Sequence, residues 1–279
     1  VCVPENLSAH IPSGCDLQSA SSVAVGSIAM HAIHQSQLRL GEHILIVGLG
    51  TVGFITAQLA NTAGFRVIGY DPDENKVNVA KSLGIVNASN DIYEIKHQIE
   101  MQTGHMGVDA SLVTAKANNS QPLDLAIDST KQKGRVIIVG EVLTQFDRSD
   151  ILEKEIEIIP SYSYGPGRQD PVYEEFGIDY PYPYIRWTEK RNMEEYLRLI
   201  SDSKIDVKST TESYDLSSFQ DAYNKLKSSN KTSDKISVSI KYDITAKTQS
   251  KLIRKVLTKQ RDDISNKSIG IAIAGAGKF

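Results

Sequence analysis

The sequence predicts an α/β protein built on a doubly wound parallel sheet, and three observations carry this prediction. Short apolar runs bounded by glycine, such as 41–48, have the composition of central parallel strands. Segments with apolar residues at helical spacing follow these runs, and glycines at Gly64 and Gly84 end two of them. The two kinds of segment alternate along the chain. This alternation indicates βαβ units and therefore a parallel sheet.

The individual elements follow from the same periodicities. Predicted helices cover about 20–37, 51–63, 73–83, the face marked by Ile92, Ile95 and Ile99, and about 123–131, and predicted strands cover 41–48, 66–71, 108–114 and 135–140. After Gly140 the pattern changes, and residues 161–188 have no clear period. Helical spacing returns around 193–200 and 219–226. Residues 235–242 alternate with period two, which predicts a half-buried strand.

Composition excludes several classes of function. The 279 residues are 40% hydrophobic and carry 31 basic against 34 acidic side chains, a net charge of −3, so no global field attracts nucleic acid. No apolar run is long enough for a membrane span, and residues 1–6 lack the features of a signal peptide. Cys2 and Cys15 form no metal or disulfide pattern. We expect a cytoplasmic protein.

A glycine-rich motif, Gly48-Leu-Gly50-Thr-Val-Gly53, joins a predicted strand to a predicted helix. In this context it matches the dinucleotide-binding fingerprint of the Rossmann fold. Gly48 would form the tight turn, Gly50 would admit a pyrophosphate to the backbone, and Gly53 would let the helix pack on the strand. The amides of Thr51 and Val52 would then point at the phosphates. The alternative is a glycine-rich turn that serves packing alone.

Asp71 ends the second predicted strand, 23 residues after Gly48. A carboxylate there can accept hydrogen bonds from the adenosine ribose and would repel a 2′-phosphate, so we expect NAD(H) rather than NADP(H). Lys76 follows as a further candidate for cofactor binding. The alternative for Asp71 is an N-cap of the next helix, a role for which Asp73 competes. The ends of two later strands, at Ala115 and Gly140, should also line the cleft, or serve structure alone.

The irregular segment 161–188 is rich in tyrosine and proline and contains the sole tryptophan, Trp187. Aromatic faces beside arginine donors suit a sugar or an anion, so Tyr164, Arg168 and Arg186 are candidates on the substrate side. The alternative is an ordered loop packed by its own aromatic side chains.

Three other patterns carry no functional prediction. His31 and His34 are one helical turn apart, but no third ligand is near in sequence, so we expect no metal site. Tyr223 and Lys227 imitate the Tyr-Lys pair of short-chain dehydrogenases, without the glycine pattern of that class. The basic stretch 247–261 is interpreted as a solvated linker helix, not a nucleic-acid patch.

Taken together, several motifs resemble the cofactor half of medium-chain, zinc-type alcohol dehydrogenases such as sorbitol and threonine dehydrogenases. These motifs are Val3-Pro-Glu-Asn-Leu7, residues 48–53, Asp71, residues 107–109 and residues 134–140. The resemblance implies hydride transfer with NAD on an alcohol or sugar. Enzymes of this family are commonly dimers or tetramers, which leaves a homo-oligomer open.

A narrower resemblance rests on the stretches 163–168, 179–181, 186–193 and 269–279. They are similar to bacterial bidomain oxidoreductases, in which a medium-chain domain precedes a domain like glucose–fructose oxidoreductase and inositol dehydrogenase. This resemblance implies a role in surface-polysaccharide biosynthesis and a nucleotide sugar as one candidate substrate.

The resemblance divides the chain into segments, with remnants of the catalytic domain of medium-chain dehydrogenases at both ends of the Rossmann fold. They are 1–15, a remnant of the N-terminal catalytic domain; 16–160, the NAD-binding domain; 161–188, the aromatic loop; 189–242, the end of the medium-chain unit; 243–266, a linker; and 267–279, the first strand of a truncated second dinucleotide-binding domain. No catalytic base or zinc ligand carries over, because the domain that bears them in zinc enzymes is absent from this sequence.

Three hypotheses of function remain open. The first is an NAD(H)-binding domain of an oxidoreductase, the second a non-catalytic dinucleotide-binding scaffold or sensor. The third is an S-adenosylmethionine methyltransferase, which also uses a glycine-rich turn and an acidic strand end, although the motif at 48–53 argues against it.

Overall fold

Six parallel strands form the central sheet in the computed structural model, which describes residues 3–227 and 235–242. The strands are β1 His43–Val47, β2 Arg66–Tyr70, β3 Asn87–Ser89, β4 Val108–Val113, β5 Thr130–Ile138 and β6 Glu157–Pro160. Their order is β3-β2-β1-β4-β5-β6, and each neighbouring pair is parallel. The predicted fold class is confirmed, and the strand order reverses direction between β1 and β4.

Helices connect the strands and continue beyond the sheet. They are α1 Leu17–Ala20, α2 Val23–Ser36, α3 Thr51–Thr62, α4 Glu74–Ser82, α5 Ile92–Thr103, α6 Gln121–Ser129, α7 Arg148–Lys154, α8 Pro171–Glu174, α9 Glu189–Ser201 and α10 Phe219–Lys227. Among the described residues, no helix has the length and apolar character needed to cross a membrane.

Both faces of the sheet are buried, which explains why the central strands are continuously apolar. Ile44 and Ile46 of β1 point into a cluster with Phe54 of α3, and the alternate residues Leu45 and Val47 point into a second cluster on the other face. This two-sided burial is the usual state of a parallel sheet covered by helices. It fixes the strand ends rigidly, and the polar groups beyond those ends form the site described below.

Three strands of the sheet, β3, β5 and β6, differ from the sequence-based prediction, and the three-residue strand β3 was not predicted. The last predicted strand of the sheet, 135–140, begins earlier, at Thr130, because a register shift between Val108 and Ala110 lets the polar stretch before Arg135 join β5 as a bulge. The helix α7 and the edge strand β6 were not predicted. No residue of α7 is buried and β6 has four residues, so neither carries a clear apolar period.

A separate two-stranded parallel sheet pairs β7 Thr211–Asp215 with β8 Ser237–Lys241. The strand β8 lies within the predicted strand 235–242. Its partner β7 was missed because Thr-Glu-Ser-Tyr-Asp has no apolar alternation; hydroxyl pairs such as Thr211–Ser237, 2.7 Å apart, join the two strands instead. The predicted linker 243–266 and the predicted strand in 267–279 lie outside the described residues.

Candidate active site: a dinucleotide cleft

A cavity of about 590 Å³ opens at the carboxyl ends of β1, β2 and β4, beside the reversal of strand order. Ligands of doubly wound sheets bind at this position. The cavity brings together seven of the nine cofactor-binding candidates: Gly48, Gly50, Thr51, Val52, Asp71, Lys76 and Ala115. The other two, Gly53 and Gly140, are not among the residues that line the cavity.

The glycine-rich turn needs glycine for three different reasons. Gly48 has a φ of +101°, a left-handed conformation that other residues rarely adopt. A Cβ on Gly53 would lie 1.8 Å from the Gly48 carbonyl oxygen, so only glycine lets α3 pack this close to the turn. A Cβ on Gly50 would meet nothing within 4 Å. The space above Gly50 is therefore open to a ligand from the cavity.

The N-terminus of α3 faces this cavity. The N-cap residue is Gly50, which has no side chain to accept from the first amides, and Thr51 and Val52 line the cavity wall. The first N–H groups of a helix lack partners within the helix and carry the positive end of its dipole. A twelve-residue helix with this exposed end can hold a pyrophosphate.

Asp71 is 3% exposed, and both of its carboxylate oxygens accept hydrogen bonds from the protein. One oxygen accepts from the Leu49 amide at 2.8 Å and the other from the Asp73 amide at 2.9 Å, while Lys76 Nζ lies 3.2 Å away. Asp73, not Asp71, accepts the N-cap hydrogen bond of α4, from Asn75. The carboxylate thus ties the glycine-rich turn to the end of β2, with Lys76 beside it at the cavity.

The ends of β4 and β5 close the other side of the cleft. Thr114 Oγ1 donates to the Gly48 carbonyl at 2.6 Å and holds β4 against the turn. A Cβ on Gly140 would lie 2.0 Å from the Ala115 carbonyl oxygen, so this glycine lets the two strand ends approach. Sequence reasoning expected the strand end at Thr114 and Ala115 to line the cleft, but did not predict the hydrogen bond that Thr114 donates. Its bond to Gly48 spans 66 residues and had no local signal.

The three candidates of the aromatic loop do not line the cavity. Arg168 forms an ion pair with Glu174 at 2.5 Å, and its guanidinium carbon lies 6.0 Å from the Tyr164 ring centroid. The Tyr164 carbonyl accepts from Asn192 Nδ2 at 2.9 Å. Tyr164 and Arg168 are thus neighbours within the loop, and Arg186 belongs to a separate stack described below.

Glu189 is a buried group that sequence reasoning missed. It is 1% exposed, and neither carboxyl oxygen has a hydrogen-bond partner within the part of the chain that the structure describes. Burial, and secondarily the nearby charge of Glu174, raises the pKa of Glu189 to about 7, against the opposing effect of Arg168. The only sequence signal was its place at the start of α9.

The raised pKa of Glu189 predicts a specific pH dependence of stability. The folded pKa of about 7 lies above the ordinary value of 4.5, so the protonated side chain stabilises the fold at low pH, and this contribution is lost as pH rises through about 7. Urea unfolding at pH 5 and pH 8 gives the free energy of unfolding of Glu189→Gln and of the unsubstituted protein. On going from pH 5 to pH 8, the difference between the two should shift in favour of Glu189→Gln by on the order of 2 kcal/mol. The control is Glu175→Gln, which changes an exposed glutamate. If the stability of Glu189→Gln depends on pH in the same way as that of the unsubstituted protein, the raised pKa of Glu189 is contradicted.

Within the described residues, no three His, Cys, Asp or Glu side chains come together as metal ligands. His31 and His34 lie on α2, where burial lowers the pKa of both imidazoles. The Trp187 ring stacks on His34. No third ligand joins these two histidines in the part of the chain that the structure describes.

Comparison with known proteins adds to this geometry. Residues 51–178 match a family model described as zinc-binding dehydrogenase. The chain is 26% identical over 226 residues to a sorbitol dehydrogenase of Halalkalibacterium halodurans, covering 78% of this chain and 58% of that protein. Over these stretches the chain is similar in sequence to zinc-binding dehydrogenases and to sorbitol dehydrogenase. The family match begins at Thr51, the first residue of α3, and includes the whole of that helix.

Solved structures of dehydrogenases share the fold of this chain. An oxidoreductase/dehydrogenase of unknown specificity from Escherichia coli superposes with a TM-score of 0.68 at 22% identity, covering 87% of this chain and 63% of that one. An alcohol dehydrogenase from Escherichia coli CFT073, complexed with NADH, gives a TM-score of 0.63 at 16% identity, with 82% and 61% covered. The chain thus spans somewhat over half the length of these dehydrogenases, and the likeness shows their fold.

Proposed function

We propose that this chain binds a nicotinamide dinucleotide, NAD(H) in preference to NADP(H), as part of an oxidoreductase that acts on an alcohol or sugar. The observation that carries the proposal is the open space above Gly50 at the uncapped N-terminus of α3, inside a cavity at the switch point of the sheet. The chain's similarity in sequence to a sorbitol dehydrogenase and in fold to an alcohol dehydrogenase complexed with NADH supports the proposal.

Each part of the cleft has a role in this proposal. Gly50 and the amides of Thr51 and Val52 hold the pyrophosphate. Asp71 and Lys76 lie beside the adenosine ribose, and the negative charge of Asp71 repels a 2′-phosphate. Ala115 and Gly140, at the ends of β4 and β5, border the nicotinamide side. A bound nicotinamide supplies the hydride chemistry.

Polyol turnover separates the enzyme from the scaffold. The full-length gene product is incubated with NAD⁺ and a panel of polyols and sugars, and NADH formation is followed by absorbance. The oxidoreductase proposal expects turnover that needs both a polyol and NAD⁺. NADH binding without turnover on the panel would favour the second hypothesis, a dinucleotide-binding scaffold or sensor. Competition by S-adenosylmethionine against NADH would favour the methyltransferase hypothesis.

A cytoplasmic location, a homo-oligomer and a role in surface-polysaccharide metabolism stay predictions of the sequence.

A further inference from the structure

A stack of aromatic and guanidinium groups lies in the aromatic loop and against α2. The His34 and Trp187 rings are nearly parallel, with centroids 4.5 Å apart. The guanidinium carbon of Arg186 lies 3.9 Å from the Trp187 ring centroid and 4.8 Å from that of Tyr182. Arg191 lies 5.1 Å from the same Tyr182 ring. We call these five residues the Arg186 stack.

Arg186 differs from the other arginines of this region in its partners. Arg168 pairs with Glu174, and Arg191 pairs with Asp179. Across residues 3–227 and 235–242, no carboxylate pairs with Arg186, and its guanidinium donates no hydrogen bond to another described residue. The Arg186 residue is exposed to solvent. Two aromatic rings therefore hold a guanidinium whose N–H groups are not used by the described protein.

The charges of the stack leave Arg186 as its uncompensated cation. Burial lowers the pKa of His34 to about 4, with smaller effects from His31 and Arg186, so the His34 ring is neutral at pH 7. Asp179 balances Arg191. Stacking on aromatic faces is favourable for a guanidinium and leaves its edge available for hydrogen bonding.

A guanidinium held in one plane is well suited to an oxyanion. Its forked N–H groups match a carboxylate or a phosphate with two parallel hydrogen bonds. Because the rings already restrict the side chain, less conformational entropy is lost when a ligand binds. We propose that Arg186 forms an anion-binding site that takes the carboxylate or phosphate group of a small molecule.

This site is distinct from the dinucleotide cleft. None of the residues that line the cleft belongs to the Arg186 stack. The inference therefore goes beyond the proposed function and does not depend on it.

Trp187 gives a direct readout, because it is the sole tryptophan of the 279 residues and stacks on Arg186. Its fluorescence is followed while the full chain is titrated with D-glucuronate, D-glucose 6-phosphate and neutral D-glucose at constant ionic strength. We expect a saturable change with at least one of the two anions and none with D-glucose. A response to D-glucuronate alone assigns the site to carboxylates, and a response to D-glucose 6-phosphate alone assigns it to phosphates.

Calorimetry on variants then tests the role of Arg186 itself, because a substitution there alters the Trp187 signal. Arg186→Gln should weaken binding of the responding anion by at least about tenfold, and Arg186→Lys should restore part of it. Arg198→Gln, which removes an exposed arginine paired with Glu195 and Asp202, is the control and should bind as the unsubstituted chain does. Thermal unfolding shows whether each variant is folded.

Two results would overturn the anion site. One is an equal response to D-glucose and to both anions, or no response to any of the three. The other is unchanged anion affinity in a folded Arg186→Gln variant. Neither result bears on NADH binding, which is measured on the same protein, so failure of the anion site and failure of the dinucleotide proposal are distinguishable.

Discussion

Alanine at Gly53 is expected to disrupt folding, whereas alanine at Gly50 is expected to abolish NADH binding and leave folding intact. The Gly53 Cβ would lie 1.8 Å from the Gly48 carbonyl oxygen and 2.6 Å from Thr114 Oγ1, so α3 must move away from the turn. We expect a loss of about 3 kcal/mol in the free energy of unfolding, measured in urea. The added methyl group would press on backbone atoms, which can move aside less easily than the end of a flexible side chain.

Gly50→Ala is the matched variant, at the N-cap of α3 three positions before Gly53. Gly50 has a φ of −73°, which alanine adopts without strain, and its Cβ would meet nothing within 4 Å. The free energy of unfolding should therefore stay within about 0.5 kcal/mol of the original. NADH affinity should fall at least about tenfold, because the new methyl group occupies the space assigned to the pyrophosphate. Unchanged NADH affinity in Gly50→Ala would contradict that assignment.

Asp71→Asn is expected to have the second large effect. The carboxylate accepts from the Leu49 and Asp73 amides and lies beside Lys76, and an asparagine of the same size turns one acceptor into a donor facing an N–H group. A buried mismatch of this kind costs about 2 kcal/mol of stability. NADH should bind at least about tenfold more weakly, and the preference for NADH over NADPH should narrow because the negative charge is lost.

The control for Asp71→Asn is Asp91→Asn. Asp91 is the exposed N-cap of α5 and accepts from the Tyr93 amide at 2.8 Å, a role that asparagine fills equally well. Stability and the affinities for NADH and NADPH should stay unchanged in this variant. If Asp71→Asn keeps both its NADH affinity and its NADH-to-NADPH ratio, the carboxylate does not select the cofactor.

The glycine-rich turn could be predicted because each of its requirements is local. Within six residues the turn needs a left-handed backbone, space for the pyrophosphate to reach the backbone, and a close contact between helix and strand. The apolar patterns on either side of the turn predict the strand before it and the helix after it. The same locality explains the correct placement of most strands and helices. Elements with few apolar residues, such as β3, α7 and β7, gave no periodic signal.

The partners of the polar groups could not be predicted, because distant segments supply them. Asp71 was expected to face a ribose, yet the Leu49 amide already occupies one of its oxygens. Trp187 stacks on His34, which is more than 150 residues away in sequence. The burial of Glu189 depends on the packing of the aromatic loop and α9. Such contacts are fixed by tertiary structure and have no signature in spacing.

Direct binding of NADH to the 279-residue chain is the measurement closest to the central claim. Isothermal titration calorimetry with NADH, and then with NADPH, reports affinity and the number of sites without relying on turnover. We predict one saturable site for NADH and binding of NADPH at least about tenfold weaker. No binding of either nucleotide to protein whose circular dichroism shows it to be folded would contradict the dinucleotide cleft.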